Sequence, residues 1–251
     1  MNKKSHVLNL ILPLLTISAV VLLWAVSSAI IDSEYILPSV MDTLSSALAV
    51  LGTGEFYRAL IDTLWRCVIA FAVSFLVGGA CAFLSSRFDI VRRCAQPIIS
   101  ILRAMPTIAI VLLLLFWTNS YIAPIIVTVL VVLPTVYSQL KYAFDMVDKS
   151  AKEASMVDGA GAREVFRFIE LPLISPAIFS TVGSGFTLNL KLMVAAEVIA
   201  QTANSIGYML NTSKVYFEIA DMLALVLITI VLGVIIESVF EFISKRTKDW
   251  E

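Results

Sequence analysis

An all-α, polytopic membrane protein with six transmembrane helices is the fold class that three features of this 251-residue sequence predict. Hydrophobic residues make up 59% of the chain and charged residues only 15%, with a mean hydropathy of +0.93, more apolar than a soluble domain requires. Charge-free runs recur at the length of ~20 residues that one bilayer crossing needs. Lys and Arg gather in alternate connecting segments, which is how membrane chains fix their orientation.

The first run, Ser5 to Ile31, follows Lys3 and Lys4. It is longer than the apolar region of a signal peptide and no clear small-residue cleavage site follows, so an uncleaved span is expected. Next, "LPSVMDTLSSALAVLGTG" sets Val40, Leu44, Leu48 and Leu51 on one helical face, with Ser39 and Asp42 spaced as a capping box and Gly52 and Gly54 as a stop. This predicts a short helix lying on the outer membrane surface. Cys67 to Ser86 forms span two. Ala104 to Leu140 is nearly twice one span and is divided by "WTNSYIAP" (117–124), which predicts spans three and four. Span five starts at Leu171 and span six covers about Met222 to Ile243, with Glu237 and Glu241 near its end. Arg87, Arg92, Arg93 and Arg103, then Lys141, Lys149, Lys152, Arg163 and Arg167, then Lys245, Arg246 and Lys248 fall on the side of Lys3 and Lys4 if there are six spans. Both termini are therefore expected in the cytoplasm.

Between spans four and five the chain is polar. "DKSAKEASMVDG" is helix-forming and stops at Gly159; "AGAREVFRFIE" resumes and meets Leu171-Pro172, predicting a helical hairpin outside the hydrocarbon. Its second arm carries Val165, Phe166, Phe168 and Ile169 among charged residues, apolar surface that a docking partner would cover.

Glu153-Ala154-Ser155, three residues, Gly159, nine residues, and Ile169-Glu170-Leu171-Pro172 resemble the cytoplasmic signature of bacterial ABC importer permeases, with Ser155 in place of the second Ala. "YILPSV", "TLWRCVIAF", "LRAMPTIAI" and "LKLMVAAEVIAQTANSIGYML" further resemble the nitrate, sulfonate and taurine type of these permeases. Val111 and "WTNS" stand where that group usually has a Pro and a Gly. The resemblance implies a five-helix permease core behind one N-terminal helix, and a coupling hairpin over 145–172 that docks on a separate ATP-binding cassette subunit. Glu153, Ala154, Gly159, Arg163, Phe166, Ile169, Leu171 and Pro172 would make that contact. It also implies an extracytoplasmic binding protein that delivers a small solute, a permease dimer enclosing one path, and residence in the bacterial inner membrane. ATP and Mg would be held by the partner subunit and no cofactor by this chain; no nucleic-acid partner is expected.

Lys191 and Glu197 interrupt span five, where a charge costs ~2.5 to 3.5 kcal/mol on insertion scales unless it faces protein or water. They point about 120° apart. Either they line the substrate path, Glu197 towards its outer gate, or they pair between helices. Arg66 reads as an anchor that snorkels to the surface. His6 is the single histidine, the three cysteines lack metal-ligand spacing, and no phosphate-binding loop is present, so neither catalysis nor ATP binding is expected here. The expected division is 1–31 leader and first span, 32–57 extracytoplasmic loop, and 58–251 permease core. A membrane scaffold that recruits a cytoplasmic partner, or a secondary transporter independent of ATP, are the alternatives.

Overall fold

The computed structural model describes residues 3–147 and 161–248, and all regular structure among them is helical. In order these are α1 (Lys3–Ile31), α2 (Val40–Leu51), α3 (Gly54–Arg87), α4 (Asp89–Ala104), α5 (Thr107–Trp117), α6 (Ile122–Met146), α7 (Leu171–Ala200), α8 (Ile206–Val215) and α9 (Ile219–Lys248). Five segments are long and apolar enough to cross a membrane, within α1, α3, α6, α7 and α9. The expected sixth span is met only if α4 and α5, bent by 95° to each other, count as one broken span. The break has a local cause. Pro106 drives Met105 out of the helical region to ψ 127°, and Pro106 itself continues extended at ψ 108°. At eleven residues α5 is about 16 Å long, roughly half the hydrocarbon thickness. The Arg92 and Arg93 segment, expected as a connection between spans, is the amphipathic helix α4, which buries only Ile99.

The chain divides into two compact units, Met1–Tyr57 with Met209–Ile228, and Arg58–Tyr208 with Thr229–Glu251. In the first, α1 is apolar on all sides and stays exposed at Leu14, Ile17, Leu22 and Leu23, as a helix wrapped by lipid does. Trp24 Nε1 donates to Pro38 O (3.1 Å) and Ser28 Oγ to Leu37 O (3.1 Å), which folds the following loop back on α1. The capping box is formed: Asp42 N–H donates to Ser39 Oγ at 3.1 Å and Ser39 N–H to Asp42 Oδ2 at 3.3 Å. Thr43 and Val50 are buried while Leu44, Leu48 and Leu51 stay exposed, so the predicted apolar face is open.

The second unit is built around α6, which is buried at Val127, Val132, Val136 and Leu140 against α3, α4 and α7. Small residues bring the helices close: a Cβ at Gly78 would stand 3.0 Å from Leu133 O of α6, and one at Gly183 of α7 2.8 Å from Phe240 Cβ of α9. Pro172 does not end the helix before α7, contrary to expectation. Ala162–Val165 is helical, Phe166–Glu170 forms a π-helical turn, and the backbone runs unbroken into α7. Leu171 N–H bonds to Phe166 O, five residues back. The wider turn makes room for a ring that lacks an N–H and would press on the carbonyl four residues earlier.

Candidate functional site

Three regions of the second unit, at the start of α7, along it and at its far end, hold the candidate residues. At the start of α7, Gly161 N–H donates to Glu164 Oε2 (3.0 Å) and opens the helical arm. Arg163 is exposed, Phe166 and Ile169 are half-buried, and Leu171 and Pro172 are exposed. The side chains that this arm exposes are not all those expected to meet a partner. Val165 is 2% exposed and Phe166 turns inward, edge-on to Phe83 of α3 at 5.3 Å. Phe168, at 69% exposure with Arg167 over its ring (5.7 Å), is the aromatic that points outward. Glu170, 1% exposed, forms an ion pair with Arg87 at the end of α3. Neither partner was singled out in the sequence, since nothing local relates positions 83 residues apart. Glu153, Ala154 and Gly159 lie outside the described residues, as does much of the 145–172 hairpin.

Further along α7, Ser180, Ser184 and Lys191 fall within about 40° of one another around the helix. Lys191 and Ser180 are exposed, and Lys191 has no ion-pair partner among the described residues. Gln139 of α6, also exposed, donates to Ser184 Oγ at 3.5 Å. An open groove of about 370 Å³ between α6 and α7 is lined by Gln139, Tyr142, Ser180 and Thr181 among others. Polar and charged groups thus form a strip on an otherwise apolar face.

At the far end of α7, Glu197 is fully buried in an ion pair between helices, the second of the two arrangements expected for it, and does not open onto the strip that carries Lys191. Arg66 Nε donates to Glu197 Oε1 at 2.8 Å, and Thr63 Oγ1 and Gly207 N–H donate to Oε2 at 3.0 and 3.3 Å. Arg66 is also fully buried rather than snorkelling. Its Nη2 reaches Asn204 O (3.4 Å) and its guanidinium lies over the Tyr121 ring at 5.0 Å. Thr63 Oγ1 in turn accepts from Ile206 N–H (3.1 Å), and Thr202 Oγ1 donates to Ser120 O (2.6 Å). Two charges are tolerated without water because each is hydrogen-bonded to the other and to further groups. Gly207 is required by this packing: a Cβ there would lie 2.4 Å from Glu197 Cβ. Thr63 and Gly207 lie inside stretches that carry the family resemblance and Tyr121 inside the dividing turn, but nothing local in the sequence assigns them to Arg66 and Glu197.

One apolar helix of this unit thus carries an exposed cation and is continuous with a polar arm at its start. The chain belongs to the family of binding-protein-dependent transport system inner membrane components, whose pattern it matches over residues 74–249. It is a permease subunit of an ABC importer. The taurine transport system permease protein TauC of Escherichia coli is 23% identical over 90% of this chain and 84% of its own. The riboflavin transport system permease protein RibX of Chloroflexus aurantiacus is 20% identical over 80% and 76%. Among solved structures, the MetNI methionine ABC transporter matches with a TM-score of 0.67 at 16% identity, over 77% of this chain and 96% of that one. A bacterial ABC transporter involved in the import of alginate matches with a TM-score of 0.66 at 14% identity, over 97% and 98%.

Proposed function

We propose that two copies of this chain enclose one path across the bacterial inner membrane, each presenting the strip of Gln139, Ser180, Ser184 and Lys191 to it. A separate ATP-binding cassette subunit holds ATP and Mg and docks on the 145–172 segment, and an extracytoplasmic binding protein supplies the small solute. Residues 58–251 are the translocating core in this reading, and both termini are cytoplasmic. The observation that carries it is the unbroken helix from Ala162 to Ala200, which joins the exposed Arg163 and Phe168 directly to Lys191. Docking on the arm would move the helix that lines the path without a hinge between them. An exposed ammonium in a spanning helix also needs water beside it, which lipid does not provide.

The test is ATP-dependent solute uptake in proteoliposomes that contain the chain, its ATPase and its binding protein. Phe168→Ala should release the ATPase, because a desolvated aromatic anchor contributes about 2 kcal/mol or more to an interface. Lys191→Ala should keep the ATPase bound and reduce uptake. Retention of the ATPase with no uptake by the unaltered complex would favour the scaffold reading; uptake without any ATPase would favour a secondary transporter.

A further inference from the structure

Helices α3 and α7 run antiparallel and meet at several points. Arg66 pairs with Glu197 at one end, and Arg87 with Glu170 at the other. Between these, Asn189 Nδ2 donates to Cys67 O at 3.0 Å. Phe71 meets Phe186 edge-on at 5.4 Å and also packs on Gly185, where a Cβ would stand 3.0 Å from its ring and press it aside. From Arg66 to Arg87 is 21 residues, 87 minus 66, or about 32 Å of helix. The two ion pairs are therefore separated by about the thickness of the hydrocarbon core, ~30 Å. Three of the four charged side chains are almost fully buried, and the fourth, Arg87, is 32% exposed.

From this double clamp we propose that Arg87 and Glu170 are positioning residues that make α3 and α7 move as one strut, so that displacement of the 145–172 segment reaches the far side undiminished. For α7 to slide along α3, both ion pairs would have to break together, which would strand Arg66, Glu197 and Glu170, each of them buried, where a lone charge is strongly unfavourable. The strut ends at the knot that holds Gly207, so a push on Ala162–Glu170 arrives at the loop from Gln201 to Gly207. Phe166 on Phe83 and the Arg87 guanidinium over the same ring (5.4 Å) seat the arm on α3 beside the ion pair. This inference rests on the proposed coupling role of the 145–172 segment.

Its test has one readout in the chain alone and one in the complex. Spin labels at the exposed positions Leu84 and Phe168, in a background with Cys81→Ala and Cys94→Ser, report the width of the α3–α7 distance distribution in nanodiscs. The native pair should give a narrow distribution, Arg87→Ala a broad one, and Arg87→Lys, which keeps the charge, a narrow one. In proteoliposomes with the ATPase and binding protein, Arg87→Ala should lower solute taken up per ATP hydrolysed by about tenfold, with Arg87→Lys restoring most of it. Should Arg87→Ala fail to insert, Arg87→Gln, which keeps a donor without the charge, takes its place with the same expectation at smaller amplitude. Unchanged widths, an unchanged uptake-to-ATP ratio, or a Lys variant as defective as Ala would overturn the strut. If the widths behave as stated while the unaltered complex shows no ATP-driven uptake, the coupling reading fails and the strut stands.

Discussion

A guanidinium shut away from water must find its hydrogen bonds in protein, and Arg66 finds them in Glu197 and the Asn204 carbonyl. Breaking such a pair from one side leaves the other charge stranded, so Arg66→Ala should destabilise the chain by about 3–5 kcal/mol, read as a fall in unfolding temperature of the purified protein. Glu197→Gln keeps one acceptor oxygen for Arg66 Nε but turns an amide NH2 towards the Thr63 and Gly207 donors, so it should also destabilise the chain, by less than Glu197→Ala. Replacing both, Arg66→Met with Glu197→Leu, should recover much of the loss, because two apolar side chains strand nothing. If the double variant is as unstable as Arg66→Ala, the knot owes its stability to something besides charge pairing. Lys191 is the opposite case. One side chain is exposed, with no ion-pair partner among the described residues, and the other is buried and paired, although both are charges on the same helix six residues apart.

At the scale of the element, close helix contact is set by residues that lack bulk. Gly183→Val would push its side chain against the Cβ of Phe240, which cannot swing aside, so α7 and α9 must part. Overpacking of this kind costs about 1–3 kcal/mol, measurable as a lower melting point with the spans still inserted. What could be read from sequence here followed the range of the interaction. The capping box of Ser39 and Asp42 was legible because its chemistry spans three residues. The knot was not, since periodicity says which way Glu197 points around its helix but not that Arg66 waits opposite, 131 residues away. Phe166 and Phe168 lie about 200° apart on one short arm, so they face opposite ways, and only the packing against Phe83, 83 residues from Phe166, decides which faces in. Leu171-Pro172 was read as a stop by the usual rule, and the chain escaped it by widening one turn. The helix α4 was hidden by its own arginines, whose charge looked like a loop when they lie on one face of an amphipathic helix.

For the whole molecule, the spans and their order were legible from apolar length, while the number of crossings turns on whether α4 and α5 pass the bilayer together. Charge distribution bears on that. With Arg87, Arg92 and Arg93 on the side of Lys3 and Lys4, and Lys245 and Arg246 with them, an even number of crossings is required. Reporters fused after Trp250 and inserted near Asp148 should therefore appear cytoplasmic, and one near Thr53 outside. A C-terminal reporter found outside would mean that α4 and α5 do not form a complete span.

The Arg66–Glu197 pair also dictates a schedule. Its carboxylate is made 131 residues after its guanidinium, which at synthesis rates of about 5–20 residues per second is a gap of roughly ten seconds. During that interval α3 is already entering the bilayer with a cation and no counter-ion. The side chain has to wait at the interface, stretched along its aliphatic stem. Only the arrival of α7 lets it sink, so burial of Arg66 marks late assembly of the helices rather than insertion. A chain truncated before Glu197 should keep residue 66 open to a water-soluble arginine reagent, while the full chain should shield it.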